Sequence, residues 1–420
     1  MERTADDSHQ SNGGNRSEGG CLDAFNMSDP KYFQDDTWQP YFERPRREAP
    51  VHFCAKSEFG PYWSVTRYKD IADCSLQHDV FSNELGGGVV IEDQPEDQDH
   101  RSFNRMDPPR HTEQRKVVSP MIAPKNLINM EGLIRQRTQQ VLDGLPRNET
   151  FDWVSHVSVN LTSMMLATLF DFPVQERAKL VYWSDVAVSN INAPDAPFHS
   201  HEERHAEMVK MAECMAALFQ ERRKAPPKFD LLSMLAHNPS TRDMPPHEFM
   251  GNLVLLIVGG NDTTRNAMSG GLIALNEFPD EYRKLTTNPS LVESMVPEII
   301  RYVSPVIHVR RTTVQDVELA GQRIPAGSKV VLWYISGNRD EEALEQPNRL
   351  VIDRKKSRQH LAFGFGIHRC VGDRLAELQL RVLWEEVLQR FPKIEVMGEP
   401  KRAYSNFLRG IRSLPVRIPG

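Results

Sequence analysis

The sequence predicts a mainly α-helical protein with small β-sheets, built as one large domain, and three observations predict it. Helical periodicity dominates from Gln114 to Ala236, broken by prolines such as Pro120, Pro146, Pro173 and Pro226. A long helix is predicted from about Pro246 to Phe278 and a shorter one from about Ser290 to Tyr302. The strand-like pieces are few and short: "HVRRTTV", "VELAGQRI" and "SKVVLWYI". The 420 residues exceed the usual size of one domain, yet no internal repeat and no flexible linker follows residue 40.

The elements follow in order. Residues 1–34 are polar and glycine-rich at their start and are expected to form a disordered tail, leaving 35–420 as the folded domain. "YWSVTRY" (Tyr62–Tyr68) alternates like a half-buried strand, and "YKDIADCSLQ" reads as a short helix. "GGGVVIEDQPEDQDH" (Gly86–His100) is a long loop of glycines and acids, the kind that serves as a binding loop or lid. "NINAPDAPFHSHEE" (Asn190–Glu203) separates two helices and is expected to form a second mobile cover. After the strands comes an irregular passage, "GNRDEEALEQPNRLVIDR", then a glycine-rich stretch and a final helix to about Phe391.

Composition narrows the class. The net charge of −6, with no dense basic run, gives no reason to expect a nucleic-acid partner. The apolar run Leu253–Val258 is far too short to span a membrane, so no transmembrane anchor is expected. The N-terminus has no apolar core like that of a signal peptide. Cys21, Cys54, Cys74, Cys214 and Cys370 are scattered without CxxC spacing, which suits a reducing compartment. A cytoplasmic monomer is the expectation.

The chemistry concentrates at "FGFGIHRCVG" (Phe363–Gly372), where Cys370 stands just ahead of an amphipathic helix. A helix N-terminus favours an anion, so a thiol there loses its proton more easily. Gly366 and Gly372 are read as clearing side chains from both sides of the sulfur. Taken alone, the stretch leaves three readings open: a buried structural cysteine, a nucleophile with His368 as base, or an axial thiolate for haem iron.

Phe363–Gly372 resembles the haem-binding loop of the cytochromes P-450, F-x-x-G-x-x-x-C-x-G. Three further motifs stand upstream in the order of that family: "HTEQR" (His111–Arg115), "GGNDTT" (Gly259–Thr264) and "EIIR" (Glu298–Arg301). The resemblance runs from about residue 35 to the C-terminus and implies the cytochrome P-450 fold, a single haem-thiolate domain. It implies haem b with Cys370 as axial thiolate, and Phe363, Gly366 and Gly372 as parts of the same loop. It implies His111, Arg115, Arg311 and His368 as partners of the haem propionates. Arg310 and Arg311 are strand neighbours, so one of them faces inward, and the spacing to "DVELAG" selects Arg311. Gly259 and Gly260 would leave room for O2 and substrate, Asp262 would relay protons, and the Thr263 hydroxyl would hold the water that delivers them. Glu298 and Arg301 are structural in the family and pair with an arginine of the irregular passage, here Arg354. Leu350 departs from the phenylalanine usual in that passage.

"LIVGGNDTTRNAMSGGLIALN" and "HLAFGFGIHRCVGDRLAELQLRVLWEEVL" look most like the bacterial family 153 branch, which hydroxylates the terminal carbon of medium-chain alkanes and related fatty acids or alcohols. Attack at a chain end requires an apolar channel that presents only that end. The candidate walls are Val89, Val90 and Ile91; Leu255, Leu256 and Val258; Val306 and Ile307; and Phe407 and Leu408. A monooxygenase acting on a terpenoid, sterol or aromatic substrate is the alternative, and a non-catalytic haem-thiolate sensor a remote one that Asp262 and Thr263 argue against. A cysteine hydrolase would be excluded by bound haem. The sequence carries no flavin or ferredoxin-type segment, so electrons from NAD(P)H are expected through a ferredoxin and its reductase. Arg115, Lys116, Arg369 and Arg374 are the candidate docking charges.

Overall fold

The computed structural model describes residues 26–93, 101–194 and 196–420. Its axis is the 32-residue helix Pro246–Glu277. A proline in the first turn needs no amide partner, and Glu248 suits the positive end of the helix. From Ala267 to Leu275 every residue is buried, so this half is a core helix rather than an amphipathic one.

The polar residues carried into that core each meet a partner. Asn252 donates to Gln114 at 3.0 Å, and Asn261 accepts from Thr162 at 2.8 Å. Ser269 bonds Ser158 at 2.8 Å, and Asn266 accepts the Ile411 amide at 2.8 Å. Gly270 and Gly271 set the approach of the helix Val292–Val303: a Cβ on them would stand 2.8 Å from Val303 and 2.9 Å from Ile299. Helices Val159–Phe170 and Ala178–Val188 also pack on the central helix, and the C-terminal helix Asp373–Arg390 packs on Pro124–Asp143.

The main sheet runs in the order Val51–Cys54, Tyr62–Val65, Lys329–Leu332, Val309–Thr313 and Phe81–Ser82. All its pairings are antiparallel except that of Tyr62–Val65 with Lys329–Leu332. A three-stranded sheet joins Thr150–Asp152, Pro415–Arg417 and Glu395–Val396, and two small hairpins complete the β-structure.

Several expectations shift. The expected tail ends too late: Pro30–Gln34 is a helix capped by Asp29, and Met27, Ser28 and Phe33 are buried. Residues 1–25 lie outside the described residues. The strand expected over Ser328–Ile335 stops at Leu332, and a short helix, Tyr334–Gly337, turns the chain away. Of the loop Gly86–His100, residues 94–100 lie outside the described residues. The part described is pinned to the sheet: Arg310 donates to the Val89 carbonyl at 2.8 Å, and its guanidinium pairs with Asp93. Asn190–Glu203, expected as a mobile cover, becomes helical at His201, capped by Ser200; residue 195 lies outside the described residues.

The irregular passage after Asn338 is held by one buried carboxylate. Glu298 and Arg301 are wholly buried and pair through two contacts of 2.8 Å, and Arg354 adds one at 2.9 Å. Arg301 also donates to the carbonyls of Asn338, Pro347 and Arg349 at 2.7–2.9 Å. Glu298 accepts the Val351 amide at 2.9 Å. Leu350, where the family usually has phenylalanine, is fully buried beside this network. Removing one member strands the others, at about 3–5 kcal/mol. Glu298→Gln is therefore expected to destabilise the fold by that amount in thermal unfolding, and Arg354→Lys by less. An unchanged melting temperature in Glu298→Gln would contradict this account.

Candidate functional site: a thiolate loop facing a cavity

Phe363–Gly372 closes on itself, with the Cys370 amide donating to the Phe363 carbonyl at 2.7 Å. Gly364 and Gly366 adopt φ of +72° and +68°, which side chains rarely tolerate. Gly366 has a second duty, because a Cβ there would collide with the Ser75 carbonyl on the helix Tyr68–Leu76. The glycines therefore act differently from the sequence reading. Gly366 seats the loop on its neighbour, and a Cβ on Gly372 would rest 3.9 Å from the sulfur, an ordinary contact. The Gly372 amide instead bonds the sulfur and favours its ionised form, while burial pushes the thiol pKa up by a larger effect. Cys370 is surrounded by protein yet accessible, because its accessible face opens into an interior cavity.

That cavity measures about 520 Å³. It follows the central helix from Gly251 to Ala267, about 24 Å at the α-helical rise. Gly259 is exposed to it from mid-helix, and a Cβ there would meet nothing within 4 Å. Gly260 lines it too but is tighter, since a Cβ there would stand 3.0 Å from Leu166. Thr263 lines it with its hydroxyl donating to the Gly259 carbonyl at 3.0 Å, which leaves the oxygen lone pairs free to accept. The helix stays continuous through this glycine- and threonine-rich turn.

Asp262 points the other way. It is buried, accepts a hydrogen bond from Ser184, and pairs with Arg265, which also reaches the half-exposed Asp185. Burial raises its pKa, and Arg265 and Ser184 only partly oppose the rise.

Within the loop, His368 meets the His111 ring, with centroids 4.3 Å apart and the planes tilted by 49°. All four of their ring nitrogens are buried without a hydrogen-bond partner. Arg115 and Arg311 line the adjoining cavity wall, Arg115 also donating to the Arg369 carbonyl at 2.6 Å. Buried polar atoms without partners are rare. Two histidines with unpartnered ring nitrogens, and two arginines with donors left over after their carbonyl bonds, lie beside a cavity that a cysteine sulfur faces and fit the thiolate and carboxylate needs of a haem. Arg310, the strand neighbour, turns to Asp93 instead.

Of the candidate walls, Val89, Val90 and Ile91 line the cavity from the glycine-rich loop, and Leu255, Leu256 and Val258 from the central helix. Val306, Phe407 and Leu408 line it where Val306 bridges Leu408. Ile307 does not. It is fully buried in the cluster around Trp333, because consecutive residues of extended chain face opposite ways. The docking candidates divide as well. Arg369 is taken up by Asp373 at 3.0 Å and by the Phe363 ring, and Arg115 faces inward, whereas Arg374 and Lys116 are exposed.

The sequence reading missed His308. It is fully buried; its Nδ1 meets the Asn406 carbonyl at 2.8 Å and its Nε2 accepts the Ile91 amide at 3.0 Å. One neutral ring thus joins the two loops that carry Ile91 and Phe407. No local pattern in the sequence marks it, since both partners are distant main-chain atoms. Burial lowers its pKa to about 4. The unfolded chain takes up this proton near pH 6.5, so the stability His308 contributes is present above that pH and is lost as pH falls toward 4. The stability difference between wild type and His308→Gln is expected to shrink by about 2 kcal/mol between pH 7 and pH 5 in denaturant unfolding. A difference independent of pH would refute the assignment.

Comparisons with known proteins agree with this geometry. The family model "Cytochrome P450" matches residues 56–414. The solved structure of CYP153D17 from Sphingomonas sp. PAMC 26605 is 46% identical, covering 95% of this chain and 100% of that one with a TM-score of 0.88. Linalool 8-monooxygenase of Pseudomonas putida is 36% identical over 93% of this chain and 98% of its own length. A methyl-branched lipid omega-hydroxylase of Mycobacterium tuberculosis is 31% identical over 91% of both. A cysteine loop, a central helix open at Gly259 and unpartnered histidine nitrogens beside two arginines at one cavity agree with that match: the chain belongs to the cytochrome P450 family and is a haem-thiolate monooxygenase, most like family 153.

Proposed function

We propose that this enzyme hydroxylates the terminal carbon of a medium-length aliphatic chain, an alkane or a fatty acid, with electrons from NAD(P)H delivered by a ferredoxin and its reductase. The observation that carries the reading is that Leu255, Leu256, Val258, Val306 and Phe407 line the same cavity as Gly259 and Thr263, which gives it apolar walls beside them. The likeness to family 153 and to a lipid omega-hydroxylase supports it. A terpenoid is the second reading, favoured by the likeness to linalool 8-monooxygenase.

Cys370 would hold the haem iron, with His111, His368, Arg115 and Arg311 holding the propionates. The bound haem supplies the insertion of one atom of O2 into a C–H bond, the other atom leaving as water. The chain's own residues do the rest. The apolar walls exclude water and align the substrate, so that its end is the carbon presented. Thr263 keeps acceptor capacity toward the cavity because its proton is committed to the Gly259 carbonyl. Asp262, one residue away with a raised affinity for protons, exchanges them with the solvent side through a carboxyl held by Ser184 and Arg265. Arg374 and Lys116, exposed near the cysteine loop, suit an acidic electron donor.

Octane, dodecane and dodecanoate are each expected to give the chain-end alcohol as main product; internal alcohols only, or turnover of terpenoids alone, would overturn the reading. Thr263→Ala is expected to keep the haem spectrum while product per electron pair falls several-fold. Full coupling in that variant would remove Thr263 from proton delivery. Arg374→Glu is expected to slow reduction by ferredoxin about tenfold and leave reduction by dithionite unchanged; equal rates would place docking elsewhere.

A further inference from the structure

The cavity wall changes character where the helix His201–Lys224 meets the end of Ala178–Val188. Ser189, Asn190 and Asn192 line it there together with Arg204 and His205. This helix packs on Ala178–Val188, Leu231–His237 and the central helix, whereas the cysteine loop rests on Tyr68–Leu76. The polar lining and the sulfur are thus carried by different parts of the fold and share only the cavity.

Arg204 is the unusual member. It is half-buried, and its guanidinium donates to the Ser189 carbonyl at 3.1 Å and meets the His201 ring at 3.2 Å. Among the described residues no carboxylate lies within ion-pair distance of it. Glu92 is the acid facing it; its carboxylate stands 3.7 Å from His201 and acts on Arg204 only at longer range. Glu203 and Glu207 are on the same helix, but Glu203 accepts from the His199 amide and Glu207 pairs with Lys210. A guanidinium at the polar end of the cavity, bonded to a carbonyl and a histidine ring with donors to spare, suits a carboxylate.

We propose that Arg204 binds the carboxylate of a fatty-acid substrate, so that the acid is held at one end while its methyl end reaches the Cys370 side. This rests on the chain-end reading above and refines it: the preferred substrate is a fatty acid rather than an alkane. Arg204 then fixes orientation, and the distance from it to the reacting carbon selects chain length.

The test uses the haem-loaded enzyme and two ligands of one chain length, dodecanoate and its uncharged methyl ester. Binding is read from the substrate-induced spectral change, and products are identified by mass spectrometry. Arg204→Gln is expected to weaken dodecanoate binding about tenfold or more while the ester changes less than twofold. Arg204→Lys, which keeps the charge, is expected to recover part of the loss. Equal losses for acid and ester would mean that Arg204 only supports the fold, and an unchanged acid affinity would mean that the carboxylate binds elsewhere; either overturns the proposal. The underlying reading fails separately, if wild-type enzyme oxidises both ligands only at internal carbons.

Discussion

A carboxylate with no access to water, Glu298, is held by two arginines, and the path of the chain into the cysteine loop depends on it. Arg301 spends its remaining donors on carbonyls of Asn338, Pro347 and Arg349, groups that no helix or strand satisfies. Unpaired, each would carry the cost of burying a polar group without a partner. The passage from Asn338 to Arg354 is therefore irregular yet fixed, and Leu361–Cys370 follows from a rigid start. The loop then closes through the Cys370–Phe363 hydrogen bond and seats Gly366 against Ser75. The sulfur's position is thus set by main-chain geometry on one side and by a buried ion-pair network on the other.

The central helix separates two demands along one sequence. Near its C-terminal half, Gly270 and Gly271 let another helix come close, which anchors it in the core. About three turns earlier, Gly259 performs the opposite service and leaves open space on the cavity side. Between them, Asp262 and Thr263 point apart, one into protein and one into the cavity. Residues adjacent on a helix are about 100° apart, so a buried acid and a cavity hydroxyl can lie side by side in sequence without sharing a surroundings.

Much of this was legible beforehand. The bounds of the central helix, its glycines, the Glu298–Arg301 pair and the choice of Arg354 all rest on local pattern or on family motifs, and those are what a sequence carries. Strand alternation allowed only one of Arg310 and Arg311 to face inward, and the spacing to "DVELAG" selected Arg311. The same alternation, applied at Val306 and Ile307, would have excluded Ile307, which packs against Trp333. Other features could not be read. The role of Gly366 depends on a carbonyl far away in sequence, His308 acts between two loops, and Arg204 is ordinary until α-helical packing turns it toward a cavity. The end of the tail was misplaced because Met27 and Phe33 are lone apolar residues in polar surroundings, and their burial depends on the cluster around Trp333.

The central claim is that Cys370 presents a thiolate to a haem in this cavity. The most direct measurement is the absorbance spectrum of the dithionite-reduced protein under carbon monoxide, for wild type and Cys370→Ser. The account predicts a strongly red-shifted Soret band in the wild type that is lost in the variant while haem is retained. A wild-type band at the shorter wavelength of histidine ligation, or a red-shifted band that survives Cys370→Ser, would contradict it.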